Sequence, residues 1–174
     1  MTSFVDLPVV LAAQIQAAVE ATTVALTCTP TRYTVTAGEP AAPTGEGCPA
    51  VWVWIDRIFA NDQPVNLRGE GVACAVTTAL TLNVRVDACY TERDDGSDQS
   101  DTEHLAAADC LHGLMGVIWC ALADHVGAGT LLDVGDCRGA ALGGFQVGQR
   151  SGGYVSATIP VTVEWDCADN TAGS

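Results

Sequence analysis

Leu80-Thr81-Leu82-Asn83-Val84-Arg85-Val86-Asp87-Ala88-Cys89-Tyr90 is the stretch that decides the fold. Successive side chains of a strand point to opposite faces, so Leu80, Leu82, Val84, Val86, Ala88 and Tyr90 alternating with Thr81, Asn83, Arg85, Asp87 and Cys89 predict a long strand with one core face and one polar face. Residues 102–126 keep a different period. Leu111, Leu114, Met115, Ile118 and Leu122 fall on one helical stripe, with Asp109, Gly113, Gly116, Cys120 and Asp124 opposite. Two interior glycines cost a helix about 1 kcal/mol each, and close approach by another backbone would give them a reason. Gly127 and Gly129 end this helix.

Outward from this pair, Asp6-Leu7-Pro8 supplies an N-capping carboxylate and a first-turn proline. Leu7, Leu11, Ile15, Ala18 and Val19 then recur at helical spacing, so an amphipathic helix runs to about residue 21. Residues 22–33 alternate Val24, Leu26 and Cys28 with threonines and read as a first strand. Residues 36–49, with Pro40, Pro43 and Pro49, read as a loop. Residues 50–59 form a second strand with Trp52 and Trp54 on one face and Val51 and Val53 on the other, so both faces are covered. Residues 61–71 project as a turn or long hairpin. A short link through Asp136-Cys137 leads to a terminal hairpin of residues 141–147 and 155–167, turning at Ser151-Gly152-Gly153. Pro160 lacks a backbone donor, which suits an edge strand or a bulge. The fold class is α+β: a mostly antiparallel sheet of four or five strands, an N-terminal helix, one long central helix and a closing β-hairpin. Residues 1–167 make one domain and 168–174 a polar tail.

The composition excludes several functions. Twenty-one acidic residues against seven arginines and no lysine leave a net charge of −14, which repels phosphate backbones and rules against binding nucleic acid by charge neutralisation. A surface that DNA slides past fits that sign. No run reaches the roughly 20 uninterrupted apolar residues of a spanning helix, and no basic region precedes the N-terminal apolar run, so a soluble protein made in the cytoplasm is expected. Cysteines at 28, 48, 74, 89, 110, 120, 137 and 167 are even in number. Their wide spacing contains no Cys-x-x-Cys, so small buried hydrophobes, rather than zinc ligands, are the expected role. In an extracellular particle some could oxidise.

No catalytic, cofactor or metal site emerges from the motifs. His104, His112 and His125 share one helix outside any metal-binding pattern, and His125 reads as a hydrogen-bonded core histidine. Cys110 and His112, two apart on a helix, point to different sides and cannot act as nucleophile and base. The glycines between 135 and 153 lack the lysine of a phosphate loop and suit hairpin turns. Residues 92–103 hold six acids (among them Asp94, Asp95, Asp98, Asp101 and Glu103) and one arginine. They lack the calcium-loop pattern and read as a solvated, self-repelling loop.

The order of helix, strands, projecting hairpin, long strand, long helix and closing hairpin ending Ile159-Pro160-Val161-Thr162-Val163-Glu164-Trp165 resembles the tail-terminator proteins of long-tailed bacteriophages. Asp109-Cys110, Met115-Gly116, Trp119-Cys120, Asp136-Cys137 and the segment from Gly152-Gly153 to Cys167 carry the resemblance, over residues 5–167. The lysine-free, Ala/Gly/Val/Thr-rich usage looks like that of phages of actinobacterial hosts.

The resemblance implies a non-enzymatic virion protein without a cofactor. It would form a six-membered ring that caps the tail tube, ends tube polymerisation and docks the filled head. Its partners would be further copies of itself, the tail tube protein and the head-to-tail stopper or adaptor, with DNA passing through the lumen unbound and no membrane involved. A closing ring needs two unlike contact surfaces. Candidates are Pro160, Asn61 and Arg68 of the projecting hairpin, and Gly113, Gly116 and Cys120 on the long helix. The acidic run is the candidate lumen or axial loop. The rival readings are a stopper or adaptor on the portal side, and a small cysteine-rich binding module.

Overall fold

A computed structural model of the chain describes residues 6–41, 48–60, 77–90, 101–131, 137–148 and 153–166. The elements, in chain order, are α1 (Leu7–Ala21), β1 (Arg32–Thr36), β2 (Ala50–Ala60), β3 (Thr77–Cys89), α2 (Asp101–Ala128), β4 (Cys137–Leu142), β5 (Gln146–Val147) and β6 (Tyr154–Asp166). They build an α+β fold with a six-stranded mixed sheet in the order β1-β2-β3-β6-β4, β5 also pairing with β6. Every pairing is antiparallel except β1 with β2.

The decisive strand pairs along its whole length with β6, from Thr77 opposite Asp166 to Cys89 opposite Tyr154. Its apolar set Leu80, Leu82, Val84, Val86 and Ala88 is buried beside Val51 and Val53 of β2 and Val155, Ala157, Ile159, Val161 and Val163 of β6. Both helices contribute to this same core. α1 contributes Leu7, Leu11, Ile15 and Val19 at four-residue intervals, and α2 the stripe Leu111, Leu114, Met115, Ile118 and Leu122. α2 is long and apolar enough, on length and composition alone, to cross a membrane; here its stripe forms part of the core.

Several expectations are corrected. Residues 22–31 are irregular, and the first strand is the short β1. Threonine alternation signalled a strand there, but the segment is held by a disulfide from Cys28 instead of by a ladder. Asp6 occupies the N-cap position of α1 yet makes no capping hydrogen bond, because its backbone is already helical (φ −84°, ψ −15°). α2 ends at Ala128, with Gly127 inside its last turn and Gly129 at φ +67° just beyond. The carbonyl of His125 accepts from the N–H groups of both Thr130 and Leu131, closing the helix end.

Pro160 lies in an interior strand, with β3 on one side and β4 and β5 on the other. It is tolerated because the neighbouring strand is broken there: β4 ends at Leu142 opposite Val161, and β5 starts at Gln146 opposite Thr158. The Pro160 carbonyl, on the same side as its missing N–H, still accepts from Gly143 N–H at 2.9 Å. A Cβ at Gly143 would come within 2.5 Å of Pro160 Cγ, so the pair is matched in shape.

Candidate functional site

The second face of the sheet, away from the helices, carries a buried polar cluster. Cross-strand register places Trp52 opposite Arg85 and Ala50 opposite Asp87, with Arg32 beyond Ala50 and Ser156 beyond Asp87. The alternation that marked Arg85 and Asp87 as part of a polar face was right, but these two are covered while Thr81, Asn83 and Cys89 of the same face stay half-exposed. Asp87 is 0% exposed and Arg85 6%.

Asp87 is held from three directions. Trp52 Nε1–H donates to Oδ2 at 2.6 Å, and Arg85 donates to the same oxygen from Nη2 at 3.1 Å and Nε at 3.3 Å. Oδ1 lies 3.1 Å from Arg85 Nε, an ion-pair contact off the N–H direction, and accepts no hydrogen bond among the described residues. Burial raises the Asp87 carboxyl above its usual range, while Arg85, Trp52 and Arg32 pull it back. Arg85 spends its remaining donors on the Pro40 carbonyl (from Nη1, 3.1 Å) and the Ala41 carbonyl (from Nη2, 3.1 Å). The guanidinium of Arg32 stacks on the Trp52 ring, 4.5 Å from its centroid. Charges this deep are costly unless paired and hydrogen-bonded, and here the pairing is dense. The cluster ties β2 and β3 together on the second face.

Two disulfides replace the expected free cysteines. Cys28 pairs with Cys110 across 82 residues and Cys48 with Cys89 across 41, with Cα separations of 5.4 and 5.7 Å. On the chain-entropy account each stabilises by roughly 4 kcal/mol. Wide spacing could not show this, because the pairs meet only once α2 and β3 are packed. Cys120 is free and exposed. Cys74, Cys167 and the Cys137 side chain lie outside the described residues.

Of the sequence-derived interface residues, the structure brings three together. Gly113, Gly116 and Cys120 line one groove with Ala18 and Ala21 of α1 and with Val24, which is 61% exposed. The two glycines differ. A Cβ at Gly113 would touch Leu26 of the same chain at 3.4 Å, whereas one at Gly116 would meet nothing within 4 Å. Pro160 belongs to the sheet and not to this groove. Asn61, Arg68, Asp94, Asp95 and Asp98 lie outside the described residues.

Asp101 and Glu103, counted in the acidic run, lie in the first turn of α2, which begins one residue before the helix read from residue 102. Glu103 Oε2 is buried without a hydrogen-bond partner among the described residues. His125 is half-buried, its Nδ1 2.9 Å from Thr130 Oγ1, in keeping with a hydrogen-bonded structural histidine. No group of three or more His, Cys, Asp or Glu that could hold a metal occurs among the described residues.

The sequence matches no family model, and no curated protein matches it.

Proposed function

We propose that the chain is a structural ring subunit of the tail-terminator kind, carried in a phage virion, capping the tail tube and joining it to the DNA-filled head. The observation that carries this reading is the open sheet with two unlike edges. Among the described residues β1 pairs only with β2, and β4 and β5 only with β6. Exposed Val35 marks one edge; Phe145 and Val147 mark the other. A head-to-tail contact that closes into a ring requires two such different surfaces on each copy, and unpaired strand edges are ready templates for a neighbour. The groove at Gly116 and Cys120 adds a third surface. The net charge of −14 suits a lumen through which DNA passes without adhering. On this reading the partners are further copies, six to a ring, the tail tube protein and the stopper or adaptor, and the chain is not an enzyme.

The two cystines favour one second reading, a disulfide-stabilised binding module that works as a monomer. Native mass spectrometry with negative-stain microscopy of the purified chain separates the two. Closed rings, expected at six copies, support the virion reading, and a monomer at micromolar concentration supports the binding module.

A further inference from the structure

Charge is unevenly spread over the fold. α1 and α2 together hold five acids, Glu20, Asp101, Glu103, Asp109 and Asp124, and no arginine. Residues 137–150 hold Arg138 and Arg150 and no acid, in a chain whose net charge is −14. Both regions also expose apolar surface. The groove beside α2 has a volume of about 520 Å³, with Val24, Gly116, Val117 and Cys120 on its walls, and Asp124 and His112 also line it. At the sheet edge Phe145 and Val147 are 47% and 59% exposed.

The loop that presents Phe145 is anchored at both ends. Gly143 N–H donates to the Pro160 carbonyl at 2.9 Å, and Gly148 N–H donates to the Ser156 carbonyl at 2.7 Å. An aromatic side chain held on a fixed loop loses little freedom on docking, and such anchors dominate interface energetics. On the receiving side, Gly116 leaves open space where a Cβ would meet nothing within 4 Å.

We infer that the groove receives the β4–β5 edge of a second copy, with Phe145 seated over Gly116. Charge complementarity selects this occupant. Groove against groove would set acids on acids. The β1 edge, with Arg32 and no acid over residues 32–36, would set like charge against the β4–β5 edge. Groove and edge share no residue, so the contact is head-to-tail and each copy makes it once with either surface. The inference rests on the ring reading for closure, and it names the two surfaces of the ring contact. The β1 edge is left for a different partner.

The test uses the full chain at micromolar concentration, read by native mass spectrometry and negative-stain microscopy. Phe145→Ser and Asp124→Arg should each weaken association at least roughly tenfold, with the thermal unfolding of the monomer unchanged. Gln146→Cys places a thiol beside Phe145. Under dissolved oxygen with a copper catalyst it should form a disulfide with Cys120 of another copy, which is free and exposed in the groove, and Cys120→Ser should abolish that link. Rings that survive both substitutions, with no link from position 146 to Cys120 between copies, overturn this inference and leave the ring reading standing. A native chain that stays monomeric overturns both. Open chains carrying the link support the contact and overturn closure.

Discussion

Trp52 and Asp87, thirty-five residues apart, meet through an indole N–H that donates to a fully buried carboxylate at 2.6 Å. Register makes the meeting possible: Trp52 faces Arg85 across the β2–β3 ladder, so its ring lies diagonal to Asp87 on the same face. Trp52→Phe keeps most of the ring but removes the donor, and should cost about 1–3 kcal/mol in chemical denaturation. Asp87→Ala should cost more, about 3–5 kcal/mol, because it takes away the buried carboxylate and leaves Arg85 only the exposed Glu39, 3.6 Å away, as a counter-charge. Equal losses for the two variants would contradict this account.

The raised Asp87 carboxyl makes a signed pH prediction. Because the folded value lies above the ordinary 3.8, the protonated form is favoured by folding. That contribution is fully present below about pH 3.8 and is lost as pH rises through the folded value. Asp87→Asn stays neutral and keeps an oxygen for Trp52 and Arg85. The stability of the native chain relative to this variant should therefore fall from about pH 4 upward and then level off. A flat difference from pH 3.5 to 7 would show that the carboxyl is not raised.

Gly143 and Pro160 should behave as a coupled pair. Gly143→Ala places a Cβ against the proline ring and should destabilise by about 1–3 kcal/mol. Pro160→Ala removes the ring atoms concerned, so the double variant should recover much of that loss. Additive effects in the double-mutant cycle would refute the contact.

The two glycines of α2 should separate folding from assembly. Gly113→Leu presses on Leu26 of the same chain and should lower monomer stability by about 1–3 kcal/mol. Gly116→Leu points into open space and should leave stability within about 0.5 kcal/mol. If the groove receives a neighbouring copy, Gly116→Leu should nevertheless abolish the ring, read by native mass spectrometry. A ring that survives Gly116→Leu excludes the groove from the interface.

The main framework was legible because two strong periods, two residues along β3 and β6 and 3.6 along α1 and α2, agree with the faces they bury. Residues 22–31 misled because β-branched alternation is a local signal, whereas a disulfide to α2 is a long-range one. Pro160 pointed to an edge because its missing N–H needs an unpaired side. A break in the neighbouring strand supplies that inside the sheet. The buried cluster was missed although its signal was present: Arg85 and Asp87 share a face two residues apart, and Trp52 lies on a strand already read as covered on both sides. Charges on an alternating strand are usually solvated, and only register shows that these are not. The cystine pairs could not be read from spacing, since 82 and 41 intervening positions carry no geometric information.

The ring-and-terminator proposal meets its most direct test in electron microscopy of lysates from a phage whose copy of this gene is disrupted. Tails of uncontrolled length beside full, tailless heads are the predicted result. Tails of normal length would contradict the proposal, and if they lay beside heads that had lost their DNA, they would move the protein to the portal side as a stopper or adaptor.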